Sequence, residues 1–258
     1  MDGVNKTLYI PLYGKSYVSK RSLILEDKRA ETIWEKEGFA LRGKSKSKWL
    51  AYYMGMRARV FDDWTRDLIS KNPEATVIHI GCGLDSRVDR VGGECRWYDV
   101  DFPEVISERR KYFSDTDSYS MLCADVREDD WLTSICGDTA IVIMEGISMY
   151  LKSDELARLF GNIWGRFGRV YLLMDCYTTI AAKMSKIKNP INDVGVTTVY
   201  GMDDPTLLTT SGMEYKCEHD MTPERLIKEL PKSESKLFSL LYAGRTARKM
   251  YKLYEYAK

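Results

Sequence analysis

Between residues 76 and 175 short apolar runs alternate with segments of helical periodicity, and that rhythm leaves a chain few folds to adopt. TVIHIG (76–81), CRWYDVD (95–101), SYSMLCAD (118–125), TAIVIMEG (139–146) and RVYLLMD (169–175) each have the length and the β-branched or aromatic content of a strand. TAIVIMEG is the most apolar, as a central strand covered on both faces should be. Helix-like segments at 103–113, 128–136 and 153–166 lie between them, with Pro103 suited to a first helical position and Ser153 to an N-cap. Strands separated by helices at this spacing run parallel, so the expectation is a doubly wound α/β sheet with helices on both faces.

The flanks read differently. Segments 26–37 and 48–71 carry apolar residues at helical spacing and predict a helical cap over residues 1–75. GKSKSK (43–48), between them, reads as a basic mobile loop, either solvated or gating the substrate. Residues 176–222 break the rhythm with Pro190, Pro205 and several Thr and Gly, and read as a substrate-side insertion over the sheet's carboxyl edge. TPERLIKEL (222–230) predicts a helix partly capped by Thr222, and MYKLYEYAK (250–258) alternates as a strand does. Residues 223–258 are therefore assigned to completing the sheet of a single domain, 1–258, whose cofactor core is 76–175.

Composition narrows the function. With 39 Lys+Arg against 38 Asp+Glu in 258 residues, the net charge of +1 argues against a nucleic-acid coat. The longest apolar runs, such as AIVIM (140–144), fall far short of the ~20 residues of a membrane helix, and MDGVNKTLYI lacks the pattern of a signal peptide. Neighbouring cysteines among Cys82, Cys95, Cys123, Cys136, Cys176 and Cys217 are all too far apart for a CxxC unit, and His79 and His219 are 140 positions apart. No metal is expected on that spacing, and reduced cysteines in apolar runs point to a cytoplasmic chain.

In open α/β sheets ligands bind beyond the carboxyl ends of the strands. Gly81 and Gly83, in IGCGLDSR, permit a tight turn and close approach of backbone to ligand, but Ser86 stands where a dinucleotide fingerprint has its third Gly. Asp101 ends the second strand 18 residues after Gly83, the place of an acid that accepts both ribose hydroxyls, with Asp99 as competitor. Asp125, ending the third strand, can accept the exocyclic amine of adenine or cap the segment that follows. Glu145 ends the most apolar strand, where a carboxylate is costly unless it faces a cleft or a partner. Together these ends describe an adenosine-bearing ligand without a pyrophosphate, and S-adenosylmethionine fits.

MGMRARVFDD (54–63), IHIGCGLDSR (78–87), WYDVDFPEVISERR (97–110), CADVREDDWL (123–132) and MEGISMYL (144–151), in that order, resemble the leucine carboxyl methyltransferase family of S-adenosylmethionine-dependent enzymes. TLYIPLYGKS (7–16) and the run from GLDSR to DFPE place the likeness nearest the bacterial branch, the tetracenomycin-type polyketide O-methyltransferases. The resemblance covers roughly residues 7–175 and implies a Rossmann-like class I methyltransferase sheet. By position it implies that Arg59 holds the methionine carboxylate with help from Lys15, and that Gly81 and Gly83 line the methionine tail. It likewise puts Asp101 on the ribose, Asp125 and Val126 around the adenine, Glu145 beside the cofactor and Tyr150 towards the substrate as the catalytic candidate. His79 reads as a core histidine.

Methyl transfer from a sulfonium is an in-line displacement, so the protein mainly aligns the reactants and excludes water. A carboxylate nucleophile is already ionised at neutral pH, whereas a phenol of pKa ~10 gains from a base or a nearby cation. The expected partner is therefore a small aromatic or carboxylic acid substrate, bound by a monomer or homodimer, with Tyr17, Tyr52, Tyr53, Tyr177 and Tyr200 in segments able to wall it. Competing readings are a carboxyl methyltransferase acting on a protein C-terminus, a nicotinamide-dependent oxidoreductase, and a binding module without turnover. Balanced charge gives no tRNA footprint.

Overall fold

The five expected strands form, in order, β1 (Thr76–Ile80), β2 (Trp97–Asp101), β3 (Tyr119–Cys123), β4 (Thr139–Met144) and β5 (Arg169–Tyr177) of one parallel array. In this computed structural model, which describes residues 8–37, 41, 43–185 and 198–258, two further strands complete a seven-stranded sheet. They are β6 (Glu214–Glu218) and β7 (Tyr251–Ala257), and the order across the sheet is β3-β2-β1-β4-β5-β7-β6 with β7 alone antiparallel. The order reverses between β1 and β4, which makes that point the switch at which a ligand crevice opens.

Alternation along the strands divides the core into two layers. Val77, Ile141, Ile143 and Leu173 face one side, against Leu12, Val18, Phe61 and Trp64. Ile78, Ile80, Val142 and Met144 face the other, against Leu159, Phe160 and Ile163. The first layer is built by α1 (Tyr9–Ser19), α2 (Lys28–Glu37), α3 (Lys48–Lys71) and α4 (Arg87–Val91), the second mainly by α6 (Ser153–Arg166); α5 (Pro103–Arg109) follows β2. The helices of the expected cap over 1–75 form one helix layer of the sheet itself, because α3 lays its apolar stripe directly on the strands.

Several expectations are corrected. Residues 43–46 of GKSKSK form a 3₁₀ turn in which Ser45 is buried, and the Ser47 side chain accepts from the Trp49 N–H at 3.3 Å to start α3, so this stretch is a structured corner. The segment 128–136 holds only a 3₁₀ turn, Trp131–Ser134. Ser153 is the first helical residue rather than the cap, and the Lys152 N–H donates to Glu155 Oε2 at 2.7 Å. Thr222 does not cap a helix; Pro223 precedes α8 (Glu224–Ile227). The supposed insertion extends β5 to Tyr177, adds α7 (Thr179–Ser185) and then supplies β6, so completion of the sheet begins at 214 rather than 223. Residues 186–197 of it, including Pro190, lie outside the described residues. The final segment adds α9 (Lys232–Tyr242) and α10 (Arg245–Arg248) before β7.

Among the described residues no helix is long and apolar enough to cross a membrane.

Candidate active site

The strand registers align one row of residues along the carboxyl edge. Ile80 pairs with Val100 and Met144, Val100 with Leu122, and Met144 with Met174. The next residue of each strand is therefore Gly81, Asp101, Cys123, Glu145 and Asp175. A cavity of about 980 Å³ opens over this edge, roofed by α1 and α3 and closed on the far side by the region of α9, α10 and β7. Lys15, Gly81, Gly83, Asp101, Asp125, Val126, Glu145 and Tyr150 all line it.

Gly81 has φ +67°, and a Cβ there would meet Ile147 Cδ1 at 2.9 Å, so only glycine lets the strand turn away beneath the cavity. Gly83 follows at φ +51°, and its N–H donates to Asp101 Oδ2 at 2.8 Å. The Phe102 N–H donates to Asp101 Oδ1 at 2.8 Å. Burial nevertheless pushes the Asp101 carboxyl up to about 6. Asp125 is taken up by Arg127, whose Nε donates to it at 2.8 Å, and its Oδ1 accepts the Arg127 N–H at 3.0 Å. It therefore caps the turn after β3 as well as facing the cavity, and the Arg127 hydrogen bond holds its carboxyl below the usual range.

Arg59 does not reach the site. Its Nε donates to Asp63 at 2.8 Å and its guanidinium to the Ile24 carbonyl at 2.7 Å, on the outer side of α3. Two residues along an α-helix is a rotation of about 200°, so Arg57 and Arg59 point to opposite sides. Arg57 lines the cavity beside Glu145, while Arg127 lines it next to Asp125. Arg57 donates through Nε to Glu145 Oε1 at 3.0 Å, and through a terminal nitrogen to Asp175 Oδ2 and the Tyr251 hydroxyl, each at 2.9 Å. The missed signal was periodic: Leu50, Tyr53, Met54 and Arg57 follow one helical stripe, and all four line the cavity.

Behind Arg57 stands a buried charge network. Lys15 Nζ lies 3.0 Å from Asp85, which also pairs with Arg90 at 2.7 Å. Arg87 bridges Asp62 at 2.7 Å and Glu145. Burial opposes charge on Glu145, but Arg57 and Arg87 outweigh it and hold its carboxyl at about 2. Burial keeps His79 neutral, with Nδ1 3.4 Å from Asp99 and an Arg87 nitrogen 3.2 Å from Nε2, as a core histidine is held. Burial and Asp175 push the Tyr251 hydroxyl well above its ordinary value, so it stays protonated and donates to Asp175 at 2.7 Å.

The far half of the cavity is aromatic and apolar. Tyr53, Tyr177, Tyr242 and Tyr251 line it, with Tyr177 and Tyr251 ring centroids 4.8 Å apart. Tyr17 and Tyr52 instead pack on each other away from the lining, and Tyr200 is half exposed outside it.

The residues fit the cofactor expected from the strand ends. The glycine turn leaves space against backbone, Asp101 presents a carboxylate, and Lys15 and Arg57 bring cationic donors to the same wall. An ammonium has three donors, and the Asp85 pair leaves Lys15 capacity for another acceptor. The family model "Leucine carboxyl methyltransferase" matches residues 11–164. The chain is 26% identical over 215 residues to the tetracenomycin polyketide synthesis O-methyltransferase TcmP of Streptomyces glaucescens, covering 81% of this chain and 78% of that one. It is 27% identical over 243 residues to the S-adenosyl-L-methionine-dependent methyltransferase dpfgK of Gibberella zeae, covering 84% and 82%. Its fold is similar to that of magnesium protoporphyrin IX methyltransferase from Synechocystis PCC 6803, crystallised with bound SAH, at a TM-score of 0.51, 12% identity and coverage of 90% and 93%. The sheet order, the lined-up strand ends and a family match over more than half its length lead to one conclusion: the chain belongs to the leucine carboxyl methyltransferase family of S-adenosylmethionine-dependent enzymes.

Proposed function

We propose that this chain transfers a methyl group from S-adenosylmethionine to an oxygen, phenolic or carboxylic, of a small aromatic substrate. The observation that carries this reading is the division of one cavity into a polar half at the strand ends and an aromatic half between α3, α9 and β7. Its volume of about 980 Å³ is at the upper end of the roughly 300–1,000 Å³ of small-molecule sites, room for two ligands side by side. The O-methyltransferase relative supports oxygen as the acceptor.

In this reading Asp101 accepts the ribose hydroxyls, Asp125 and Val126 border the adenine, and Arg57 with Lys15 pairs with the methionine carboxylate over Gly81 and Gly83. When bound, S-adenosylmethionine supplies an electrophilic methyl on a sulfonium. The chain's task is then alignment and exclusion of water. Tyr53, Tyr177, Tyr242 and Tyr251 hold the flat face of the substrate, with Tyr150 on the same side. Arg57 touches Glu145 on the cofactor side and Tyr251 on the other, so its guanidinium is placed to favour an ionised oxygen there. A carboxylate arrives charged; a phenol, with pKa ~10, gains most from such a cation.

Calorimetry and a substrate panel test the proposal. S-adenosylhomocysteine is expected to bind and NAD not to, and methyl-labelled cofactor should label a phenol or an aromatic acid from the panel. NAD binding without S-adenosylhomocysteine binding would overturn it, and so would label appearing only on protein C-termini.

A further inference from the structure

On the outer strand pair, away from the cavity, three ligand-type side chains converge. Cys217 and His219 are two residues apart along β6 and its continuation, which puts both on one side of the sheet. Cys217 is also the register partner of Glu255 on β7. Cys217 Sγ is 3.5 Å from His219 Nε2 and 3.5 Å from Glu255 Oε2, and those two atoms are 2.5 Å apart. Linear spacing hides the cluster, since Glu255 follows His219 by 36 residues.

The separations have the size of a coordination sphere. With Zn–S about 2.3 Å and Zn–N or Zn–O about 2.0–2.1 Å, tetrahedral angles put sulfur about 3.5 Å from each lighter ligand and the lighter pair about 3.3 Å apart. Both sulfur distances already match. The His219–Glu255 pair needs to open by about 0.8 Å as a cation replaces their hydrogen bond.

We propose that Cys217, His219 and Glu255 form a three-ligand site for a borderline-soft divalent cation of the zinc type, completed by water. Thiolate and imidazole select against magnesium and calcium, which take oxygen ligands. Thiolate and carboxylate together balance a double positive charge. The buried Trp64 indole N–H faces Glu255 and can orient its carboxylate. The cation would tie the edge strand β6 to β7, where the ladder is interrupted by a register shift between Tyr215 and Cys217. A small cavity of about 170 Å³ bordered by His219 is also bordered by Tyr53, Tyr242 and Tyr251. The site therefore braces the back of the aromatic wall and stays clear of the reacting atoms.

The test is a cobalt(II) titration of the full chain freed of metal by chelation. One equivalent is expected to bind with a thiolate-to-cobalt charge-transfer band, and zinc to abolish the band. Cys217→Ser should lose it, and His219→Ala should weaken cobalt binding by roughly tenfold or more, with wild-type circular dichroism in both variants. A wild type without the band, a band that persists in Cys217→Ser, or unchanged affinity in His219→Ala would overturn the site.

Discussion

Arg57 and Arg59 share a helix and a charge, yet their surroundings give them different tasks. Arg57 is 4% exposed and compensates Glu145 and Asp175 together. Removing it leaves buried carboxylates uncompensated, a loss of about 3–5 kcal/mol. Arg57→Ala should therefore lower the urea midpoint strongly and weaken S-adenosylhomocysteine binding by calorimetry. Arg59 pairs with Asp63 at a third-exposed surface, worth less than about 1 kcal/mol, and donates to the Ile24 carbonyl, so Arg59→Ala should lower the urea midpoint less than Arg57→Ala and leave S-adenosylhomocysteine affinity unchanged. A loss of affinity in Arg59→Ala with none in Arg57→Ala would reverse the assignment. The acids at strand ends were legible in the sequence because topology fixes where a parallel strand's last residue points. Choosing between two arginines required the helical phase, and Asp175, which also ends its strand as read from the sequence, owes its role to a pairing with Arg57 118 residues away that chain order does not show.

At the scale of elements, the five parallel strands and the two longest helices were legible, and β6 and the short helices were not. Lys48–Lys71 and Ser153–Arg166 have bounds that their periodicity marked, because a long amphipathic stripe repeats its message. β6, EYKCE, is mostly exposed and lacks a clear apolar alternation, so only its partner β7 reveals it as a strand. The crossing of α1 and α3 is likewise invisible along the chain. A Cβ on Gly14 would fall 2.7 Å from Met54 Cβ, an atom fixed to its own helix. Overpacking of that kind costs about 1–3 kcal/mol, against which alanine's better helix propensity returns up to about 1. Gly14→Ala should lower the thermal midpoint and, by shifting the adjacent Lys15, weaken cofactor binding. A raised midpoint with unchanged affinity would mean that the helices are not in this contact.

For the whole molecule, the buried charges set how the fold responds to acid. Despite burial, Arg109 and its neighbours hold Asp99 at about 2, and Arg57 and Arg87 hold Glu145 there too. Groups held low stabilise the fold above their unfolded values near 4 and lose that contribution as pH falls towards 2, so urea melts should show a steep decline across that window. Between pH 7 and 5 His79 acts against two buried carboxyls. Burial lowers His79, so acid favours the unfolded chain, where it takes up a proton near 6.5. Burial raises Asp101 to about 6, so its folded form gains a proton first and is stabilised as pH falls from 7 to 5, by about 1.4 kcal/mol. Asp175, also raised by burial, adds in the same direction as Asp101. Asp101→Asn should remove the Asp101 share, so the variant should lose about 1.4 kcal/mol more than wild type over that interval. Binding should run the other way. If the ionised Asp101 accepts the ribose hydroxyls, wild-type affinity for S-adenosylhomocysteine should fall up to about tenfold from pH 7 to 5, and that fall should vanish in Asp101→Asn. Stability and affinity must therefore move in opposite senses through one carboxyl. A pH-dependent affinity that survives the substitution would take Asp101 out of the ribose site.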